Sequence, residues 1–313
     1  MKKSISQLLN EAITAQKEAK YKDAKELYRQ ILKIDPKHSA ALNNLGYMTQ
    51  FNNNLKDNLE ESEALYKKGL ENNANSKELN LNLGFVLAKM HKFDEAEKYL
   101  KKTIELDSGN LEAYRALGTS LKFLGKLKEA EINYKILVEL NSRDFIAFNN
   151  LGNILRDLKK FDEAELNFKK AITIKPDFYQ AYNNLGLLMS KIKKLGDAVK
   201  CYQKALQINP NFASAHNNIG NISRKLDRFE EAETSYKKAI KIEPNLLLAN
   251  FNLGTTLKHL NRLDEAETTY KKAIEIDPSY VDTYNNLGGV LFELGKLEEA
   301  EECFKKAIAL KPD

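Results

Sequence analysis

Glycine recurs along this chain at a fixed interval, and that interval constrains the fold more than any other feature of the sequence. Eight glycines are evenly spaced, except that the first interval is four residues longer than the six identical ones after it: Gly46, Gly84, Gly118, Gly152, Gly186, Gly220, Gly254 and Gly288. The six prolines keep the same register, each at one constant distance after such a glycine or its equivalent position: Pro36, Pro176, Pro210, Pro244, Pro278 and Pro312. This period predicts an array of similar structural units, each packed on its neighbours.

Alignment on the glycine divides the chain into nine repeats without an intervening linker, the last repeat being one residue short. We therefore predict a single domain over residues 1–313. Its repeats are 5–38, 39–76, 77–110, 111–144, 145–178, 179–212, 213–246, 247–280 and 281–313. Positions are numbered below from the first residue of each repeat.

Each repeat carries two apolar stripes with helical spacing. In residues 145–178 the first stripe contains Phe148, Leu151 and Leu155, and the second contains Ala164 and Phe168. Such spacing predicts two amphipathic helices that share a core. The chain is therefore predicted to be all-α, a solenoid of nine helix-turn-helix units. Glycine within a helix costs about 1 kcal/mol relative to alanine, so close helix packing must compensate for it.

Small and aromatic side chains in the second stripe supply that packing. Alanine recurs opposite the glycine, at Ala96, Ala130, Ala164, Ala198, Ala232, Ala266 and Ala300. From the fourth repeat onward an aromatic residue follows four positions later, at Tyr134, Phe168, Tyr202, Tyr236, Tyr270 and Phe304. We expect these rings to fill the space between the paired helices.

Composition excludes several classes of protein. Hydrophobic residues make up 42% of the chain, which is typical of a folded protein, and a net charge of +5 gives little support to nucleic-acid binding. Cys201 and Cys303 stand three repeats apart, too far for a disulfide bond, and free thiols favour a reducing compartment. No segment has the apolar length of a signal peptide or a membrane span, so we predict a cytoplasmic protein without membrane contact.

The pattern of leucine-glycine, alanine, aromatic, alanine and proline over a 34-residue period resembles the tetratricopeptide repeat family along essentially the whole chain. The resemblance implies a right-handed superhelix whose first helices line a concave wall that binds proteins or peptides. Two departures stand out. Repeat two has four extra residues around positions 51–54, predicted to lengthen its turn. Proline is replaced by Ala74, Ser108 and Ser142 in repeats two to four, which predicts either looser joints or less sharply terminated helices there.

Position six of the first helix should point into the concave groove, because it lies opposite the buried stripe. It is asparagine in every repeat but the fourth, which has Ala116: Asn10, Asn44, Asn82, Asn150, Asn184, Asn218, Asn252 and Asn286. A carboxamide both donates and accepts hydrogen bonds, which suits it to the backbone of an extended peptide. The alternative is that asparagine serves local structure or reflects a compositional bias.

The asparagine row looks like the superhelix of O-linked N-acetylglucosamine transferases, whose repeat arm holds protein substrates. No part of the chain resembles the sugar-transfer domain of that family. The main interpretation is a non-catalytic scaffold, and the alternative is the substrate-recruiting arm of a larger glycosyltransferase. A resemblance to repeat domains that clamp the carboxylate of chaperones fails, because positions two and six are never basic.

Two further groups of side chains are candidates for contact with a partner. Aromatic residues on inward positions are candidate anchors or, equally, packing residues between repeats: Tyr47, Phe51, Phe85 and Phe123. Basic residues on or beside the wall would favour an acidic partner, although a solvated face is the plainer interpretation: Lys122, Arg156, Lys191, Arg224, Lys225 and Lys258.

The sequence offers no residues arranged for catalysis. The four histidines occupy four different repeat positions, which gives no metal-ligand spacing, and nothing indicates a cofactor. Carboxylate pairs such as Asp264 and Glu265 are interpreted as caps of the second helices. RNA binding by helical hairpins is the rival, but those repeats lack this glycine, alanine and proline framework. The uncovered face of the last repeat, with Phe304 and Ile308, predicts self-association unless the chain continues.

Overall fold

A computed structural model of the chain describes residues 3–50 and 55–311, and every regular element in these ranges is an α-helix. The helices divide into two structural units, Met1–Lys160 and Phe161–Asp313. The division falls in the turn of the fifth predicted repeat. The single domain over 1–313 and the right-handed superhelix remain predictions.

The first unit contains nine of the described helices. They are α1 Ile5–Lys17, α2 Tyr21–Ile34, α3 Ser39–Thr49, α4 Leu55–Asn72, α5 Lys77–Lys89, α6 Phe93–Leu106, α7 Leu111–Phe123, α8 Leu127–Leu140 and α9 Phe145–Asp157. The two helices of a repeat pack on each other, and the second helix packs on the first helix of the next repeat.

The second unit contains the other nine described helices and the same pattern of packing. They are α10 Phe161–Ile174, α11 Tyr179–Lys191, α12 Leu195–Ile208, α13 Ala213–Lys225, α14 Phe229–Ile242, α15 Leu247–His259, α16 Leu263–Ile276, α17 Val281–Glu293 and α18 Leu297–Leu310. All nine first helices begin at the first residue of a predicted repeat, so the prediction of an all-α array of helix pairs is confirmed.

Most of the repeated glycines face aromatic rings, and Gly84 faces the side chain of Leu100. A Cβ atom added to Gly186 would lie 2.6 Å from Cε1 of Tyr202, and one added to Gly220 would lie 2.6 Å from Cε1 of Tyr236. The alanines are buried as predicted, but the rings occupy the space beside the glycines. Tyr28 and Tyr66, which the alignment did not pick out, hold the same place in the first two repeats and are fully buried.

The turn between the two helices of a repeat places its second residue, position fifteen, in the left-handed region of φ. Gly125 and Gly295 occupy this place with φ of 72° and 75°. Six other described repeats use a non-glycine residue there: Ala19, His91, Lys159, Lys193, Asp227 and Asn261. Gly125 and Gly295 therefore mark a position that requires a positive φ, which most of the described repeats adopt with a non-glycine residue at some steric cost.

Replacement of the proline does not change where the second helix ends. Helices α6 and α8, which lack the following proline, end at the same repeat position as α16, which has it. The Oδ1 atom of Asp107 accepts a hydrogen bond from the Gly109 backbone at 3.3 Å, so a side-chain turn also ends the helix. In repeat two, α4 has 18 residues where other second helices have 14. The predicted longer turn falls on residues 51–54, which lie outside the described residues.

The carboxylates at the start of the second helices do not cap them through hydrogen bonds. Asp264 and Glu265 lie in the first turn of α16, where negative charge is favourable. The N-cap residue is Arg262, whose side chain makes no capping bond and instead binds Glu265 at 2.6 Å. Their place in the first turn agrees with the prediction that acidic residues favour the start of the second helix.

A chain of ion pairs joins successive second helices. Glu97 binds Lys101 at 2.6 Å, four residues away on α6, and Lys126 at 2.7 Å, at the start of α8. Equivalent bridges link Glu131 to Lys160 and Glu267 to Lys296, both at 2.7 Å. Burial would raise the pKa of Glu97, but hydrogen bonds from the two lysines outweigh it, and the pKa lies below its usual value.

Candidate functional site

The asparagines of position six lie on the solvent-facing side of the first helices, opposite the buried stripe. Most of them are half-buried, Asn10 is exposed, and Asn252 is nearly covered, with 8% of its surface accessible. On the same side, the described residues of position two and position thirteen are mostly exposed. In each unit the asparagines thus stand between neighbouring first helices, where a ligand could reach part of each.

Several of these carboxamides connect one repeat to the preceding one. The Nδ2 atom of Asn218 donates to Oδ1 of Asn183 at 3.0 Å, and that of Asn252 donates to Oδ1 of Asn217 at 3.3 Å. The acceptors lie at position five of the preceding repeat. In the first unit, Asn82 donates in the same way to Asn43 at 2.8 Å. Position six therefore has a structural role, and contact with a ligand remains a prediction.

Other asparagines use a neighbouring tyrosine or their own helix. Asn44 donates to the hydroxyl of Tyr28 at 3.1 Å, and Asn150 donates to the hydroxyl of Tyr134 at 3.3 Å. Asn286 donates to the backbone oxygen of Asp282 at 3.0 Å. In all these hydrogen bonds the amide nitrogen is the donor.

The predicted aromatic anchors are separated by the structure. Phe85 and Phe123 line one groove of about 520 Å³ between α5, α6 and α7, together with Ala116. Tyr47 is exposed but does not line this groove, and Phe51 lies outside the described residues. We call the surface formed by Phe85, Phe93, Ala116 and Phe123 the aromatic groove.

The ring of Phe123 both packs between repeats and stays accessible. It stacks on Phe93 with ring centroids 4.7 Å apart and planes inclined by 3°. His91 meets the edge of Phe93 at 5.6 Å. The Phe123 side chain nevertheless keeps 65% of its surface exposed. Phe93 and His91 were not among the predicted residues, although phenylalanine at the first position of a second helix recurs at Phe161 and Phe229.

The predicted basic residues are divided between the two units and differ in their surroundings. Lys122 and Arg156 belong to the first unit, and Arg156 donates to Asp157 at 3.2 Å. In the second unit Lys258 is paired with Glu293 at 2.9 Å, and Lys191 lies 5.8 Å from the centre of the Phe161 ring. Lys225 is exposed and Arg224 is half-buried. Part of the predicted positive charge is thus neutralised by neighbouring carboxylates.

The cysteines are free and half-buried. Burial raises the pKa of the Cys201 thiol to about 11, with smaller effects from Asp197 and Glu165. Within 3–50 and 55–311, no three side chains of His, Cys, Asp or Glu are grouped closely enough to hold a metal ion. None of the helices in these ranges combines the length and apolar character needed to cross a membrane.

Paired helices, a regular sequence period and a glycine that faces an aromatic ring define a helical-repeat protein. Models of the tetratricopeptide repeat match most of the chain. The matched residues are 9–77, 81–106, 145–178, 211–279 and 246–313, and a further TPR repeat model matches 191–227. The chain therefore belongs to the tetratricopeptide repeat family, and this fold is suited to protein–protein interaction.

Solved structures of tetratricopeptide repeat proteins are similar to the chain. Yeast Tom70 has a TM-score of 0.66 and 15% identity, with 100% of this chain and 86% of Tom70 covered. YrrB, described as a TPR protein with an unusual peptide-binding site, has a TM-score of 0.46 and 25% identity, covering 57% and 93%. MamA has a TM-score of 0.48 and 25% identity, covering 52% and 95%. No curated protein sequence matches the chain.

Proposed function

We propose that this protein is a non-catalytic scaffold that binds an extended segment of a partner protein along the exposed side of its first helices. The observation that carries the proposal is the row of position-six carboxamides. Their amide nitrogens hold neighbouring repeats together, as between Asn218 and Asn183. Their carbonyl oxygens can then accept hydrogen bonds from the backbone N–H groups of a ligand.

The spacing of the repeats fits this mode of binding. Neighbouring helices pack about 10 Å apart, and an extended chain advances about 3.3 Å per residue, so successive asparagines would meet every third residue of a ligand. Asn184 and Asn218 are half-buried and reachable, whereas Asn252 is nearly covered and should contribute less.

The remaining parts of the proposal concern the charge of the partner, self-association and the cellular location of the protein. The exposed Lys225 and Lys191 favour an acidic segment, whose association would slow as salt rises. Self-association through the face of α18 that carries Phe304 (38% exposed) and Ile308 (63% exposed) remains a prediction. A cytoplasmic location, and the alternative that the chain is the substrate-recruiting arm of a larger enzyme, remain predictions.

The test is peptide binding by the full chain and by two matched double variants. Peptides are selected from a phage-displayed random dodecapeptide library on the wild-type protein, synthesised, and measured by fluorescence polarisation. Asn184→Ala with Asn218→Ala should weaken binding about tenfold, because two hydrogen bonds of about 0.5–1.5 kcal/mol each are lost.

The control is Asn183→Ala with Asn217→Ala, which removes acceptors of the inter-repeat hydrogen bonds but keeps the position-six carboxamides. Circular dichroism checks that both variants fold. The proposal requires binding to survive in the control. Equal loss in the two variants, or the failure of any peptide to be selected, would contradict it.

A further inference from the structure

We propose that the aromatic groove is an anchor site for one bulky apolar side chain of the partner segment, with an acidic residue directly beside it in the partner. This inference rests on the proposed function, because it specifies one residue of the bound peptide. It concerns the first unit, where α5, α6 and α7 supply the groove.

The groove is open because the asparagine row is interrupted at this point. In three other repeats a position-six asparagine donates to a position-five asparagine of the preceding repeat, as Asn82 donates to Asn43. Here position six is Ala116, and position five of the preceding repeat is Leu81, which has no polar side-chain atom. The methyl group of Ala116 leaves the space between α5 and α7 unfilled, and a groove of about 520 Å³ remains.

The walls of this space are predominantly apolar. The stacked rings of Phe93 and Phe123 form one end, and Phe85 and Ala88 line the α5 side. A volume of about 520 Å³ is larger than a single side chain needs. Burial of a leucine or phenylalanine side chain contributes roughly 1.5–3 kcal/mol, which is the size of a typical interface anchor. The 65% exposure of Phe123 means that a ligand can cover much of its ring.

Charge around the stacked rings selects the neighbour of the anchor. Lys89 lies at the C-terminal end of α5, at the repeat position that Phe123 holds in α7. Lys122 lies at the C-terminal end of α7, next to Phe123 in sequence. Both lysines are exposed. Lys89 donates to the neutral Oε1 of Gln50 at 3.2 Å. Arg115 is already paired with Asp144.

The carboxylate of Glu112 belongs to the opposite end of the groove. It lies at position two of α7, eleven residues before Phe123. At about 1.5 Å per residue, that separation is about 16 Å along the helix. Of the charged side chains that line the groove in the described structure, Lys89 is therefore the one at the aromatic end that is paired with a neutral group, and an acidic residue beside the anchor complements it.

The experiment uses the phage-displayed dodecapeptide library on the full wild-type chain, with selected peptides measured by fluorescence polarisation. We expect selected peptides to share a bulky apolar residue next to Asp or Glu. Phe123→Ala and Ala116→Asn should each weaken binding about tenfold or more, the first by removing a wall and the second by filling the groove. Lys89→Glu with Lys122→Glu should weaken binding several-fold and reduce its salt dependence.

Phe292→Ala is the matched control, since Phe292 on α17 is 63% exposed, much like Phe123, and does not line the groove. It should leave the affinity unchanged. Two results would contradict the anchor site while the proposed function still held. One is selected peptides without the apolar-acidic pair. The other is peptides that lose affinity in the Asn184/Asn218 variant but keep it in Phe123→Ala. If no peptide is selected, both fail.

A second copy of the chain is the remaining occupant to test. Sedimentation velocity of wild type and Phe123→Ala distinguishes it from a peptide. Self-association of the wild type that Phe123→Ala abolishes would overturn the proposal.

Discussion

At the scale of single residues, the contact between glycine and ring sets the distance between paired helices. Gly220 faces Tyr236, whose side chain is fully buried. Replacement of Gly220 by alanine adds helix propensity of up to about 1 kcal/mol but forces a contact near 2.6 Å. We predict that Gly220→Ala lowers the free energy of unfolding by about 1–2 kcal/mol, measured by urea denaturation.

Gly196 provides the control for this prediction. It lies in the first turn of α12, and a Cβ atom there would meet nothing within 4 Å. Gly196→Ala should therefore be neutral or slightly stabilising. Equal stability of the two variants would show that the ring of Tyr236 yields to the added methyl group.

The same scale shows what the sequence could reveal about the candidate site. The position of the asparagines on the solvent-facing side of the first helices follows from helical periodicity, as does the exposure of Phe123. Their hydrogen bonds could not be predicted, because a bond such as that of Asn252 to Asn217 depends on the offset between adjacent repeats. The stacking of Phe123 on Phe93 has the same origin, since the two rings come from different repeats.

At the scale of helices and turns, the interhelical turn places one residue in the left-handed region of φ, where most of the described repeats have a residue other than glycine. Lys193 holds a φ of 64° in the turn before α12, where Gly125 and Gly295 appear in other repeats. We predict that Lys193→Gly raises the free energy of unfolding by about 0.5–1 kcal/mol, because glycine adopts this φ without a steric penalty. Thermal and urea denaturation measure the change.

Lys194→Gly is the neighbouring control, since Lys194 is the N-cap of α12 with an ordinary φ of −82°. It should give no gain, because the flexibility of glycine is useful only at the preceding residue. A stabilisation by Lys194→Gly equal to that of Lys193→Gly would contradict the argument.

Helix boundaries were the best predicted feature at this scale. The first helices begin where the repeat alignment places them, because the stripe and the turn residues agree. The absence of proline after α6 and α8 predicts less sharply terminated helices, but both end at the usual repeat position. The side chain of Asp107 supplies an equivalent signal, which is visible in the sequence only once the turn geometry is known.

At the scale of the molecule, equivalent ion pairs join several successive second helices in both units. The lowered pKa of Glu97 means that the unfolded chain takes up a proton more readily than the folded one. The stabilisation is therefore complete above the unfolded pKa, about 4.3, and is lost as pH falls through the folded pKa.

We predict that Glu97→Gln lowers the free energy of unfolding by about 1 kcal/mol at pH 7, because two ion pairs are lost. The loss is no larger because both partner lysines are more than a third exposed, so solvent screens the ion pairs. The difference from wild type should shrink as pH falls through the lowered folded pKa of Glu97, where the wild-type carboxylate becomes neutral. Urea denaturation at pH 7 and pH 3 measures both values. The exposed Glu139 gives a control, Glu139→Gln, which should show little difference at either pH.

The all-α class and the nine helix pairs were predictable because the 34-residue period, the apolar stripes and the turns agree throughout the chain. The bridges between repeats were not, because the glutamate at position 21 and the cation at position 16 look like ordinary surface charge. The two charges meet only in the folded array, where side chains 29 residues apart, such as Glu97 and Lys126, form an ion pair between repeats.

That constant separation makes the array tolerant of changes in length. Glu131 and Lys160 are also 29 residues apart, one repeat further along. Removal of residues 111–144, one complete repeat, would bring Lys160 to the place that Lys126 now holds, and Glu97 would meet an equivalent ammonium group. Duplication or loss of complete modules therefore preserves the joints, whereas a deletion out of phase with the period breaks them.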